Sequence, residues 1–93
     1  MTEAGLEARC RVVATEHGLL FPKLHPFIIG TPDRVLMAPN GRYALVELKT
    51  LTGRLSPIQK ALHAAWAKLG FVVYVIRTVD EFKALCKTLA DER

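Results

Sequence analysis

The sequence contains no apolar run approaching the roughly 20 residues that would span a bilayer. Its N-terminus, MTEAGLEARC, carries acids where a secretory leader needs an apolar stretch. Membrane-spanning and exported classes are therefore not expected, and the cytoplasm is the expected compartment. Cysteine is scarce. Cys10 and Cys86 are too few for a disulfide scaffold, and each falls at an apolar helical position, so two buried thiols are expected. His17, His25 and His63 lack ligand spacing with one another or with the cysteines, which argues against a zinc site. No repeat, low-complexity segment or linker interrupts the chain, so its 93 residues are expected to form one domain. An apolar content of 51% with 24% charged residues is ordinary for a folded chain and excludes disorder. A formal charge of +4 suits a polyanionic partner, but many small basic proteins bind none.

The periodicities organise the chain. Leu6, Cys10, Val13 and Ala14 recur at helical spacing up to His17, and Gly18 supplies a stop. Residues 19–29 are apolar but broken by Pro22 and Pro26, which predicts an irregular or edge strand. Two short apolar runs, 34–38 and 43–48, flank Pro39-Asn40-Gly41-Arg42. Asn-Gly between such runs predicts a hairpin, because both residues tolerate positive φ. After a turn-rich stretch, Ser56-Pro57-Ile58-Gln59 reads as a helix start with a capping box. Ile58, Ala61, Leu62, Ala65 and Leu69 form its apolar stripe, and Gly70 ends it. Phe71 to Ile76 is unbroken apolar, the pattern of a strand covered on both faces. Thr78 and Glu81 then open a last helix with Phe82, Leu85, Cys86 and Leu89 on one stripe. The expected fold is α/β, in the order α-β-β-β-α-β-α. The stretch from Tyr43 to Ile76 is long enough for a βαβ crossover, so the sheet should be mixed and flanked by helices.

Chemistry concentrates in two segments. Alternation along a strand puts Glu47 and Lys49 on one face and Leu48 on the other. Folding the hairpin brings Asp33, at the start of one arm, opposite the end of the other. Two acids and a lysine thus converge at one rim of the sheet, which is what phosphodiester hydrolysis requires. Hard carboxylate oxygens hold Mg²⁺ or Mn²⁺, and the ion lowers the pKa of a bound water and neutralises charge on the phosphoryl oxygens. Lys49 can position the attacking water or stabilise the anionic transition state, and the Leu48 carbonyl can add a metal ligand. Taken singly the features are weak: E-x-K is usually a solvated pair, and Pro-Asp-Arg is often a turn. Their combination carries the reading.

Gly30-Thr31-Pro32-Asp33-Arg34, Glu47-Leu48-Lys49 and Gln59 resemble the signature of the PD-(D/E)xK nucleases, and more narrowly of the small standalone VRR-NUC (virus-type replication-repair nuclease) family. The resemblance runs over nearly the whole chain, residues 1–93. It implies a restriction-endonuclease-like core and Mg²⁺- or Mn²⁺-dependent cleavage of DNA by an endonuclease. It further implies a homodimer that prefers branched DNA such as a four-way junction or flap, in the cytoplasm of a bacterial or phage-infected cell.

The resemblance also implies a metal-binding glutamate on the first helix. Glu3 and Glu7 both border its apolar stripe, and Glu7 is preferred because Glu3 sits in the fraying first turn. The plainer reading of both is as acids complementing the helix dipole. Gln59 either closes its capping box or, as the resemblance implies, reaches the attacking water or a phosphate. Lys23, Arg34, Arg54 and Lys60 are candidate DNA phosphate contacts, each also readable as a solvated charge. His25, in the loop before the motif, is a weaker DNA contact. Trp66 lies beside the helical stripe and is read as partly buried or as part of a subunit interface. Two other classes compete with a nuclease. One is a DNA-binding module of the same fold without turnover; the other is an interaction protein with a surface salt-bridge cluster. Metal and DNA titration separates the three.

Overall fold

The computed structural model describes residues 1–25 and 28–91, so Pro26 and Phe27 lie outside the described residues. Its elements are α1 (Glu3–Glu16), β1 (Arg34–Met37), β2 (Tyr43–Leu48), α2 (Pro57–Lys68), β3 (Val73–Ile76) and α3 (Val79–Asp91). The sheet order is β1-β2-β3, with β1 antiparallel and β3 parallel to β2. α2 is the crossover between the parallel pair, so the expected mixed sheet forms.

Local chemistry explains the boundaries. The Thr2 hydroxyl caps α1 by accepting from Gly5 N–H, and Gly18 takes the left-handed conformation (φ 71°) that ends it. The hairpin closes through Pro39–Gly41, with Asn40 at φ 65° and Gly41 at φ 75°. Residues 20–24 behave as the interrupted edge that their prolines predict. Leu20 N–H and Leu24 N–H donate to Met37 and Asp33 carbonyls, and Val35 N–H to that of Pro22. Pro22 has no N–H to return, so only isolated bridges form.

One face of the sheet makes the core. Leu36, Ala44, Val46, Leu48 and Ile76 pack with Leu6, Cys10, Val13 and Ala14 of α1 and Phe82, Cys86 and Leu89 of α3. Both cysteines are buried and free, as expected. Phe21 covers this core from the edge, its ring 4.8 Å from that of Phe82.

The opposite face departs from expectation. α2 buries none of its residues fully, and its stripe ends Ile58 and Leu69 are 53% and 74% exposed. β3 is not covered on both faces either. Phe71, Val72 and Tyr74 are exposed, and only Ile76 is buried. The reason is packing: α2, itself largely exposed, leaves Phe71, Val72 and Tyr74 in solvent, and β3 is in addition an edge strand among the described residues. An unbroken apolar run therefore does not mark a strand covered on both faces here.

Candidate active site at the rim of the sheet

The register of the hairpin builds the site. Arg34 pairs with Val46 and Val35 with Leu45, so the next step outward sets Asp33 opposite Glu47. Alternation places both carboxylates, with Lys49, on the face away from α1 and α3. The loop that delivers Asp33 is fixed against α2. Thr31 donates through N–H and hydroxyl to the Ile28 carbonyl, and Pro32 is fully buried. Gly30 sits at φ 96°, where an added Cβ would lie 3.0 Å from the Ile58 side chain and 3.1 Å from its carbonyl oxygen. The first residue of the G-T-P-D-R segment is thus glycine for conformation and for space.

The two carboxylates are short of partners. Asp33 Oδ1 and Glu47 Oε1 are buried and accept no hydrogen bond. Burial pushes the Glu47 carboxyl up to about 7; Asp33 adds to the rise, Lys49 opposes it, and Glu3 raises it further. Asp33 is also raised, chiefly by burial, with Arg34 and the backbone amides of Asp33 and Leu48 pulling it down and Glu3 pushing it up. Lys49 N–H donates to the Ile76 carbonyl on β3. Since amides and carbonyls of successive strand residues alternate sides, the Leu48 carbonyl points away from β3, toward Asp33. Two acids with an unsatisfied buried oxygen each, beside a backbone carbonyl, form a donor set suited to a hard divalent cation.

The helical glutamates are placed otherwise than expected. Glu7 lies 3.3 Å from Arg34 and 3.6 Å from Arg11, where it neutralises the guanidinium on the core side of the sheet. The glutamate whose charge reaches both Asp33 and Glu47 is Glu3. Among the described residues, no three Asp, Glu, His or Cys side chains converge to hold a metal. Glu7 is thus held as an ion-pair partner of Arg34, and Glu3 is the helical acid whose charge bears on the pair.

An open groove of about 700 Å³ adjoins the acids, lined by Ile29, Gly30, Thr31, Lys49, Arg54 and Gln59 with neighbouring loop atoms. Gln59 completes its capping box: its Oε1 accepts from Ser56 N–H at 2.9 Å, and its own N–H donates to Ser56 Oγ at 3.1 Å. Its carbonyl oxygen is thereby committed, and its amide NH₂ remains as a donor at the groove. Of the candidate phosphate contacts, Arg54 lines the groove, Lys60 is exposed on the first turn of α2, and Lys23 is exposed on the edge segment. Arg34, the fourth candidate, is turned toward α1 by the register; its side chain is 13% exposed and engaged by Glu7. His25 is exposed and Trp66 half-buried.

One residue that sequence reasoning did not single out belongs beside this site. Arg77 donates from one nitrogen, Nη1, to the carbonyls of Thr50, at 2.7 Å, and Gly53. Its partners lie 24 and 27 residues away, so no local pattern marks it.

Comparison with known proteins accords with this geometry. A solved structure described as a VRR_NUC domain superposes with a TM-score of 0.79 at 24% identity, covering 91% of this chain and 94% of that one, which shows the fold. No curated protein matches the chain. The profile of the VRR-NUC domain matches residues 3–80. The chain, with its acid pair and lysine at the rim of a three-stranded mixed sheet, belongs to the VRR-NUC nuclease family.

Proposed function

We propose that this protein is a Mg²⁺- or Mn²⁺-dependent endonuclease that hydrolyses phosphodiester bonds of branched DNA as a homodimer. The carrying observation is the pair of buried, unpartnered oxygens on Asp33 and Glu47, set beside Lys49 at an open groove. Asp33, Glu47 and the Leu48 carbonyl would hold the ion, which when bound neutralises phosphoryl charge and lowers the pKa of a coordinated water. Lys49, on the same face as Glu47, orients the attacking water or stabilises the anionic transition state. Arg54 and Lys60 hold backbone phosphates along the groove and so position the strand. The Gln59 amide, fixed by its cap, can donate to a phosphate without reorganising.

The dimer reading is supported by the uncovered face. Tyr43, Leu45, Trp66, Leu69 and Phe71 line an apolar groove of about 290 Å³, and Ile28 and Ile29 are exposed nearby in sequence to the motif. A second copy related by a two-fold axis would cover such a patch and supply a second site, so that opposed strands of a junction can both be cut. A cytoplasmic location fits this substrate.

The test uses purified protein with labelled single-stranded, duplex, flap and four-way-junction DNA, in Mg²⁺, Mn²⁺, Ca²⁺ or EDTA. Cleavage with Mg²⁺ or Mn²⁺ and none in EDTA is expected, with junction DNA preferred. Binding without product in every metal would leave a DNA-binding module, and neither binding nor product would leave an interaction protein.

A further inference from the structure

The chain leaves β2 at Lys49, turns through Thr50–Gly53, and re-enters the groove at Arg54. The turn is closed on itself: Gly53 N–H donates to both the Thr50 carbonyl and the Thr50 hydroxyl, each at 3.1 Å. It is then tied to the far end of β3. Lys49 N–H donates to the Ile76 carbonyl at 3.0 Å, and the next residue, Arg77, spans the Thr50 and Gly53 carbonyls with one guanidinium nitrogen. Arg77 is itself fixed. Its N–H and that of Thr78 donate to Glu81 Oε1 at 2.7 and 2.9 Å, and Glu81 N–H returns to Thr78 Oγ1, so the α3 capping box anchors the clamp.

We infer that Arg77 is a positioning residue for cleavage: by clamping the Thr50–Gly53 turn to the start of α3, it sets the placement of Lys49 relative to Arg54. Arg77 does not line the groove. It stands on the other side of the turn, in a cavity of about 530 Å³ shared with Arg9, Thr78 and Lys83. It therefore acts through the turn and not on the phosphate. Lys49 and Arg54 are the two cationic groups of the groove lining, one assigned to the reacting centre and one to the strand. Their spacing is set by the segment 49–54 that joins them, and Arg77 is a side chain from outside that segment that bonds its carbonyls. Both bonds come from one guanidinium nitrogen, so a lysine ammonium, which carries three protons on one nitrogen, can restore part of the clamp, whereas a side chain without a donor cannot.

This inference rests on the nuclease reading, and the experiment keeps the two apart. Wild type, Arg77→Ala and Arg77→Lys are compared by single-turnover cleavage in Mg²⁺, DNA affinity in Ca²⁺, thermal unfolding, and amide hydrogen exchange of residues 49–54. Misplacing a reacting group by about 1 Å costs on the order of a hundredfold in rate. The expected result for Arg77→Ala is a cleavage rate lowered roughly 10- to 100-fold, an affinity changed less than about threefold, and faster exchange at Gly53 in a protein still folded at the assay temperature. Arg77→Lys should recover part of the rate. If Arg77→Ala fails to fold, Arg77→Met is put through the same assays and decides, since it keeps an apolar stem and loses every donor: a wild-type rate there overturns the proposal. A folded Arg77→Ala with full rate or unchanged exchange overturns it equally. Should wild type cleave no substrate, the nuclease reading falls, and the exchange data alone uphold or overturn the clamp.

Discussion

Glu47 makes the stability of the metal-free protein depend on pH in a direction opposite to that of most carboxylates. Its folded pKa, pushed up to about 7 by burial and by Asp33, lies above its ordinary value of 4.5. Between those values the folded state holds a proton that the unfolded chain has released, so raising the pH withdraws stability. At about 1.4 kcal/mol per pKa unit, the whole loss is roughly 3 kcal/mol, complete once the pH is well above 7. His63 works the other way. Burial lowers its pKa below 6.5, so stability is gained as pH rises toward that value. In the unfolded chain His63 is still half protonated at pH 6.5, but its contribution is shared by wild type and Glu47→Gln, so the difference between the two isolates Glu47. From pH 6.5 to 8 the expected loss is then roughly 0.8 kcal/mol, or about 3–6 °C of Tm for a domain of this size. The assay is thermal unfolding in EDTA across this range for wild type and Glu47→Gln. Wild type should fall by that amount relative to the glutamine variant, whatever the variant's absolute stability. Saturating Mg²⁺ should offset the fall in wild type, because binding favours the ionised carboxylate. The same slope in wild type and Glu47→Gln refutes the placement of Glu47 as a buried, under-partnered acid.

Further perturbations separate the roles. Asp33→Asn should abolish cleavage while leaving metal-free thermal stability unchanged or raised, since it removes a like charge; retained turnover would exclude Asp33 from the chemistry. Lys49→Ala should cut the single-turnover rate steeply with only a modest loss of DNA affinity in Ca²⁺, whereas a pure binding defect would contradict its assignment. Arg54→Ala should weaken binding and reduce the log–log salt slope by about 0.9 on duplex DNA, the signature of one lost phosphate contact. Leu69→Glu should convert a sedimenting dimer to a monomer, and a monomeric wild type would remove the dimer from the scheme.

What was legible in the sequence is what is decided locally. The caps at Ser56 and Thr78, the stop at Gly18 and the Asn40-Gly41 turn depend on residues within a few positions of one another, and each forms as read. Asp33 facing Glu47 follows from turn and alternation alone. What stays illegible involves partners distant in the chain. Whether Glu3 or Glu7 approaches the acids depends on the angle at which α1 crosses the sheet, and Arg34 pairs with Glu7 across 27 positions. The stripe of α2 and the run 71–76 read as buried because they are apolar, yet composition does not record that Ile58, Leu69, Phe71, Val72 and Tyr74 are left exposed. Arg77 was invisible for the same reason: its acceptors are backbone carbonyls, which every residue possesses.

The pairing of β1 with β2 has a consequence for error. Sliding one strand past the other by a single residue would preserve most backbone hydrogen bonds, yet it would present Arg34 to Glu47 and turn Asp33 inward. The safeguard lies elsewhere in the sheet. That slip turns Leu36 out of the core and carries the Asp33 carboxylate in against Val46 and Leu48, so the misaligned hairpin exchanges a buried aliphatic side chain for an unpaired buried acid. The packing of Leu36 therefore proofreads the chemistry on the opposite face. A polar residue at position 36 should increase the fraction of molecules that are folded but inert, before it visibly lowers the amount that folds.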